Sequence, residues 1–87
     1  MNQSILFPDI QTWDAVKNVI VFPAQQSGAL IECVVSKSYL ENMVGSAIET
    51  EQQAIQVFQK LRFDLEEQAE ELIEEEEFNL QGQIELG

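Results

Sequence analysis

Residues 50–77 read TEQQAIQVFQKLRFDLEEQAEELIEEEE, and the period of their apolar side chains governs how the rest of the chain is read. Ala54, Val57, Phe58, Leu61, Leu65, Ala69, Leu72 and Ile73 recur at spacings of 3, 1, 3, 4, 4, 3 and 1. That spacing places them on one side of an α-helix. Thr50 to Gln53 has the T-x-x-Q form of a capping box, in which the side chains satisfy backbone N–H groups left open by the first helical turn. The stretch predicts a long amphipathic helix from Glu51 to about Glu77, with a stripe that another part of the chain must cover.

The opposite side of this helix is acidic. Nine of the fourteen residues from Asp64 to Glu77 are Asp or Glu, and none is basic. On a wheel of about 100° per residue, Glu67, Glu70, Glu71 and Glu74 lie across from the stripe. Glu76 alone would point inward, so the helix is expected to end near it. Like-charge pairs such as Glu67–Glu71 and Glu70–Glu74 each cost about 0.2–0.5 kcal/mol. Burying Leu61, Leu65, Leu72 and Ile73 contributes roughly 1.5–3 kcal/mol each as an upper value. Packing outweighs repulsion, so the acidic run reads as a solvated face that needs no bound cation. Length is a further constraint. A helix over residues 51–77 spans about 40 Å, whereas a compact domain of this size is about 30 Å across. The helix must therefore overhang, bend, or be covered by a second chain, and a homodimer is one expectation.

Upstream, the period changes. Ile5 to Phe7 is a short apolar run that stops at Pro8-Asp9. A loop is expected from there to about Ala15. Val16 to Phe22 is rich in β-branched residues and predicts a strand ended by Pro23. Gln25 to Gly28 reads as a hairpin loop, and Leu30 to Val35 as the next strand, with Ile31, Cys33 and Val35 on one apolar face. Ser38 to Glu41 has the S-x-x-E form of a capping box, and Gly45 can close the short helix that follows. After the long helix, Phe78, Leu80, Gly82, Ile84 and Leu86 alternate with polar residues, as in a half-buried strand. The order is β-β-β-α-α-β. It predicts an α+β fold in one domain over residues 1–87: a small antiparallel sheet packed by one long helix, with a C-terminal strand.

Composition excludes several functions. The chain has 87 residues and a net charge of −12, from 16 acidic and 4 basic side chains. Residues 64–87 hold ten of the acids and no base. Such a chain repels phosphate backbones and anionic membranes, so neither nucleic acid nor membrane is an expected partner. There is no histidine, which removes the commonest general base and metal ligand. One cysteine, Cys33, can make neither an internal disulfide nor a zinc site. No Gly-rich phosphate loop or nucleophile elbow is present. No apolar run approaches the ~20 residues of a membrane span, and MNQSILFPDIQ lacks the basic n-region of a signal peptide. A soluble cytoplasmic protein with no catalytic, cofactor or metal residues is expected.

Some side chains stand out singly. Trp13 in a loop suits either a small core or a partner contact. Phe63 lies about 140° from Phe58 on the wheel, among Glu67 and Glu70, where an aromatic covers a sheet edge or meets a partner. Arg62 borders the stripe and can pair with Glu66 one turn on. Cys33 reads as an inert buried thiol.

The segment Arg62-Phe63-Asp64-Leu65-Glu66-Glu67-Gln68-Ala69-Glu70, followed by Leu72-Ile73, resembles the long helix of the YrdB-like family of small uncharacterised bacterial proteins. MNQSILFPD, Trp13-Asp14 and Phe22-Pro23 resemble the same family. The chain departs from that pattern at Glu51, where the family favours proline, and at Phe78 and Ile84, where it favours tryptophan. The resemblance implies a small α+β protein and supplies no activity. Its motif matches single out Trp13, Asp14, Arg62, Phe63, Asp64 and Glu66 as candidate partner-binding residues. The expected function is a non-catalytic protein-interaction module acting on an unidentified protein or on itself. The alternatives are an acidic decoy that occupies a nucleic-acid-binding protein, and a small ligand-binding or enzymatic domain.

Overall fold

Alternate side chains along residues 19–36 turn inward and build the centre of the molecule. In the computed structural model, which describes residues 5–87, the chain runs through β1 (Ile5–Leu6), β2 (Thr12–Asp14), β3 (Val19–Gln26), β4 (Ala29–Ser36), α1 (Lys37–Val44), α2 (Glu51–Lys60), α3 (Arg62–Glu74) and β5 (Ile84–Leu86). Met1 to Ser4 lie outside the described residues, and with them the start of the MNQSILFPD likeness. The fold is α+β, as expected.

Ile20, Phe22 and Ala24 of β3 and Cys33 and Val35 of β4 face the core. The strands are joined by Ser27-Gly28, with φ of 52° and 84°. Two consecutive left-handed residues match the twist of the flanking strands, which is why the turn needs only these two. Gln25 and Gln26 therefore belong to β3 and not to the loop. Pro23 does not end the strand either. It lies within β3, opposite Glu32. On the other edge, β2 pairs with Val19–Val21 and β1 with Gln25–Gln26. Residues 22–24 are left without a partner on that edge, a gap in which a residue lacking an N–H is tolerated. β3 also starts later than expected. Asp14 Oδ1 accepts from the N–H groups of Val16 and Lys17 at 3.0 and 3.1 Å, so these residues turn instead of extending.

The sheet order is β1-β3-β4-β5, with β2 also against β3. The pairs among β1 to β4 are antiparallel, but β5 joins β4 in parallel. The sheet is thus mixed, because three helices carry the chain back across it before β5, and a crossover of this kind returns a strand in the same direction. The expected tail strand is shorter than the alternation implied. Asn79 Oδ1 accepts from Gln81 and Gln83 N–H at 2.9 and 2.8 Å, which folds residues 79–83 into a loop. Phe78 and Leu80 are consequently exposed.

Ser36, not Ser38, caps α1, its Oγ accepting from Tyr39 N–H at 3.1 Å. Glu41 instead accepts from Ile48 N–H at 2.8 Å and ties α1 to the following loop. Gly45 closes α1 at φ 76°. Thr50 caps α2, accepting from Gln53 N–H at 3.0 Å. The single long helix is divided at Leu61, whose φ and ψ are −98° and 9°. Its N–H is shared between the carbonyls of Val57 and Phe58 at 3.0 and 3.1 Å. The second half ends at Glu74. Glu76 N–H reaches Ile73 O and Glu77 N–H reaches Leu72 O, both at 3.0 Å, with Glu76 at φ 59°. This is a Schellman closure with glutamate where glycine is usual. Closure at Glu74 stops the helical stretch short of Glu77, and the longest dimension of the molecule is 36 Å.

The helices cover one face of the sheet. Ala54, Phe58, Leu65, Ala69 and Ile73 are buried against it, and the Phe22 and Phe58 rings stand 5.0 Å apart at 52°. Among the described residues, no helix lies over the other face.

Candidate functional site

Of the six candidate residues, Arg62 makes the most contacts. The division at Leu61 precedes it directly, and its guanidinium lies 5.3 Å from the centroid of the Phe58 ring. Nε donates to Glu66 Oε2 at 2.6 Å, Nη1 to Gln11 Oε1 at 2.9 Å and Nη2 to Pro8 O at 2.5 Å. Asp9 is 3.7 Å from Nη1, but its side chain is 93% exposed and adds little. The planar fork therefore ties the β1–β2 connection to α3, beside the gap at Pro23. Arg62 and Glu66 hold the fold.

Trp13 lies opposite Ile20 in β2 and packs half-buried against the core. Asp14 closes the turn after β2. Phe63 and Asp64 follow Arg62 in the chain but are exposed, Phe63 by 71%. The structure thus joins Arg62 with Glu66, sets Trp13 and Asp14 on opposite sides of β2, and leaves Phe63 and Asp64 exposed.

A different surface concentrates apolar groups without covering them. On the open face of the sheet, Leu6, Gln25 and Leu30 form one row across β1, β3 and β4. Thr12, Val21, Val34 and Glu85 form a second across four strands. Asp14, Val19 and Ser36 form a third, and Pro23 lies opposite Glu32. Leu6 and Leu30 are 61% and 69% exposed, so one end of this face is openly hydrophobic. The signal was present in the sequence. Leu30 and Val34 are apolar on the side of β4 opposite Ile31, Cys33 and Val35, so β4 is apolar on both sides, and only one face is used by the core.

The face carries two adjoining depressions that share Asp14 and Val21. One, about 430 Å³, is lined by Thr12, Trp13, Asp14, Ala15, Val21 and Glu32. The other, about 120 Å³, has Val19, Val21 and Val34 together with Lys17, Gln81, Gln83 and Glu85. Gln83 donates to Glu32 at 2.9 Å and Asn79 to Glu85 at 3.1 Å, so loop 79–83 forms one wall. Among the described residues, Asp14, Glu32 and Glu85 accept from neutral groups. Among the described residues, the ion pairs are those of Arg62 with Asp9 and Glu66. The carboxylates of this face thus make hydrogen bonds but no ion pair among the described residues, and Lys17 borders the same depression as Asp14 and Glu85.

A third depression, about 310 Å³, lies between Tyr39, Gln68, Glu71, Leu72, Glu85 and Gly87, with the Tyr39 hydroxyl 3.0 Å from Gln68 Oε1. Cys33 is fully buried, and burial pushes its thiol up to about 12, so it stays protonated near neutral pH. Among the described residues, no three His, Cys, Asp or Glu side chains are grouped to hold a metal ion. No helix among them is long and apolar enough to cross a membrane.

Comparison with known proteins places this geometry. The family described as "Protein of unknown function (DUF1488)" matches the chain over residues 5–86. "Uncharacterized protein YrdB" of Escherichia coli (strain K12) is 39% identical over 85 residues, covering 97% of this chain and 96% of that protein. The protein of the same name from Shigella flexneri is 38% identical over the same length. The 1.60 Å crystal structure of a DUF1488-family protein of unknown function from Shewanella loihica PV-4 superposes with a TM-score of 0.95 at 45% identity, covering 99% of this chain and 94% of that one.

Proposed function

The chain belongs to the DUF1488 family of proteins of unknown function, and from its geometry we propose that it is a non-catalytic protein-interaction module of the bacterial cytosol, docking through the open face of its sheet. One observation carries this reading: Leu6, Leu30, Val21 and Val34 share a face that no element of the described chain covers. Apolar groups gathered this way mark contact surfaces. The partner is a different protein in preference to a second copy, because two copies joined through this face would gather the Glu32 and Glu85 carboxylates of both at one interface.

The test is site-specific photo-crosslinking in the producing bacterium. A photoreactive residue at Leu6 or Leu30 is expected to give an adduct of one discrete mass, and one at Gln56 or Gln59 on α2 is not. Overproduction of the protein without the photoreactive residue in the same cells should compete the adduct away, and overproduction of a Leu30→Gln version should not. Equal labelling from both surfaces would overturn the reading, and an adduct of twice the chain mass would replace it with a homodimer.

The acidic-decoy reading draws on a separate observation. Glu67, Glu71 and Glu74 to Glu77 are all exposed and, among the described residues, unpaired. It requires competition with DNA for a basic DNA-binding protein at low salt, carried by α3 and unaffected by Leu30→Gln.

A further inference from the structure

Resting on the docking reading above, we infer that the open sheet face takes an extended, basic and apolar peptide segment of another protein. Its floor runs from Leu6, Gln25 and Leu30 at the hairpin end, across the Pro23–Glu32 row, to the apolar pair Val21 and Val34 and on to Val19. From Gln25 to Val19 along β3, this floor is about 20 Å long, the length of some six extended residues. Its rim is anionic. Asp14, Glu32 and Glu85 stand around the Val21–Val34 pair, each held by neutral donors and none paired with a cation among the described residues.

That arrangement fits lysine or arginine side chains in two ways. Their methylene stems can lie on the valines while the charged heads reach the rim. The carboxylates are already in place, so pairing with them costs little ordering of the site. A net charge of −12 adds a long-range field that attracts cationic segments and turns away acidic ones, anionic membranes and nucleic acid. Among the described residues Lys17 is the cation bordering the smaller depression, beside Asp14 at the end away from Leu6 and Leu30. The occupant therefore presents apolar side chains towards Leu6 and Leu30, and positive charge towards Glu32, Glu85 and Asp14.

The experiment titrates the isotopically labelled protein with three short synthetic peptides, one alternating leucine and lysine, one leucine and glutamate, and one serine and lysine. The leucine–lysine peptide is expected to shift the backbone amide signals of Val21, Leu30, Glu32 and Val34 saturably. A Leu30→Gln, Val34→Thr double variant, checked for an unchanged circular dichroism spectrum, should weaken it about tenfold or more. Glu32→Gln with Glu85→Gln should weaken it less and flatten its dependence on salt. Equal binding of the serine–lysine peptide, or shifts confined to α3, would overturn the inference by showing charge attraction alone. Equal binding of the leucine–glutamate peptide at the sheet would overturn the basic partner and leave the docking surface standing. If no peptide shifts the sheet signals, both fail.

Discussion

At the scale of single residues, Arg62 carries more of the fold than its neighbours Phe63 and Asp64, although all three belong to one family-like motif. Its guanidinium serves Glu66, Gln11 and Pro8 together while resting on Phe58. Removing the guanidinium leaves a half-buried carboxylate and a carbonyl without their donor. Arg62→Ala should cost about 3 kcal/mol in denaturant unfolding, seen as a lower midpoint. Arg62→Lys should recover only part of this, because one ammonium cannot span three acceptors in a plane. The pairing with Glu66 was legible at a spacing of four. The reach to Pro8 and Gln11, more than fifty positions away, was not, since no local pattern encodes which loop a side chain will meet. Cys33 gives a pH dependence with a definite sign. Burial raises its thiol from 9.0 to about 12. The unfolded chain then loses this proton first as pH rises, so stability is full below about 9 and falls between there and about 12. Cys33→Ala should lessen that alkaline loss, measured by midpoints at successive pH values.

At the scale of elements, the end of α3 is held against the preference of its own residue. Glu76 sits at φ 59°, where a Cβ costs about 1–2 kcal/mol. Glu76→Gly should therefore raise stability by about 1 kcal/mol, or about 5 °C in melting temperature, after allowing for the looser unfolded chain. Glu76→Ala removes the charge but keeps the Cβ, so it separates strain from electrostatics and should gain much less. The helical wheel places Glu76 as the one acid that would face inward, and the helix does stop just before it. Other element ends escaped the sequence because non-local pairing set them. Pro23 reads as a stop, yet survives inside β3 because β1 and β2 leave a gap there. Thr12 to Asp14 reads as a loop, and becomes β2 only because β3 lies beside it. The tail alternates from Phe78 onwards, but only Ile84 to Leu86 find a partner in β4. The helical stripe is legible nearly whole, since period alone defines it. The division at Leu61 leaves that period intact and was therefore invisible.

At the scale of the whole molecule, charge opposes folding while one core sustains it. Phe22, Phe58, Leu65, Ile20 and Ile84 are completely buried, and the glutamates of α3 collect on the far side. Raising sodium chloride from about 10 mM to about 300 mM should screen that repulsion and stabilise the protein by about 1 kcal/mol, or about 5 °C, followed by circular dichroism melts. A protein tied together by exposed ion pairs would respond in the opposite direction. The burial of Cys33 at the middle of the sheet has one more consequence. A single thiol that reacts only when the sheet opens is a clock that can be read inside a living cell. Brief exposure to a membrane-permeant maleimide would tag only molecules caught open, so the tagged fraction reports how often the chain unfolds in its natural surroundings. Because anything bound to the native state lowers that fraction, the same thiol would register an occupied sheet face before its occupant is known.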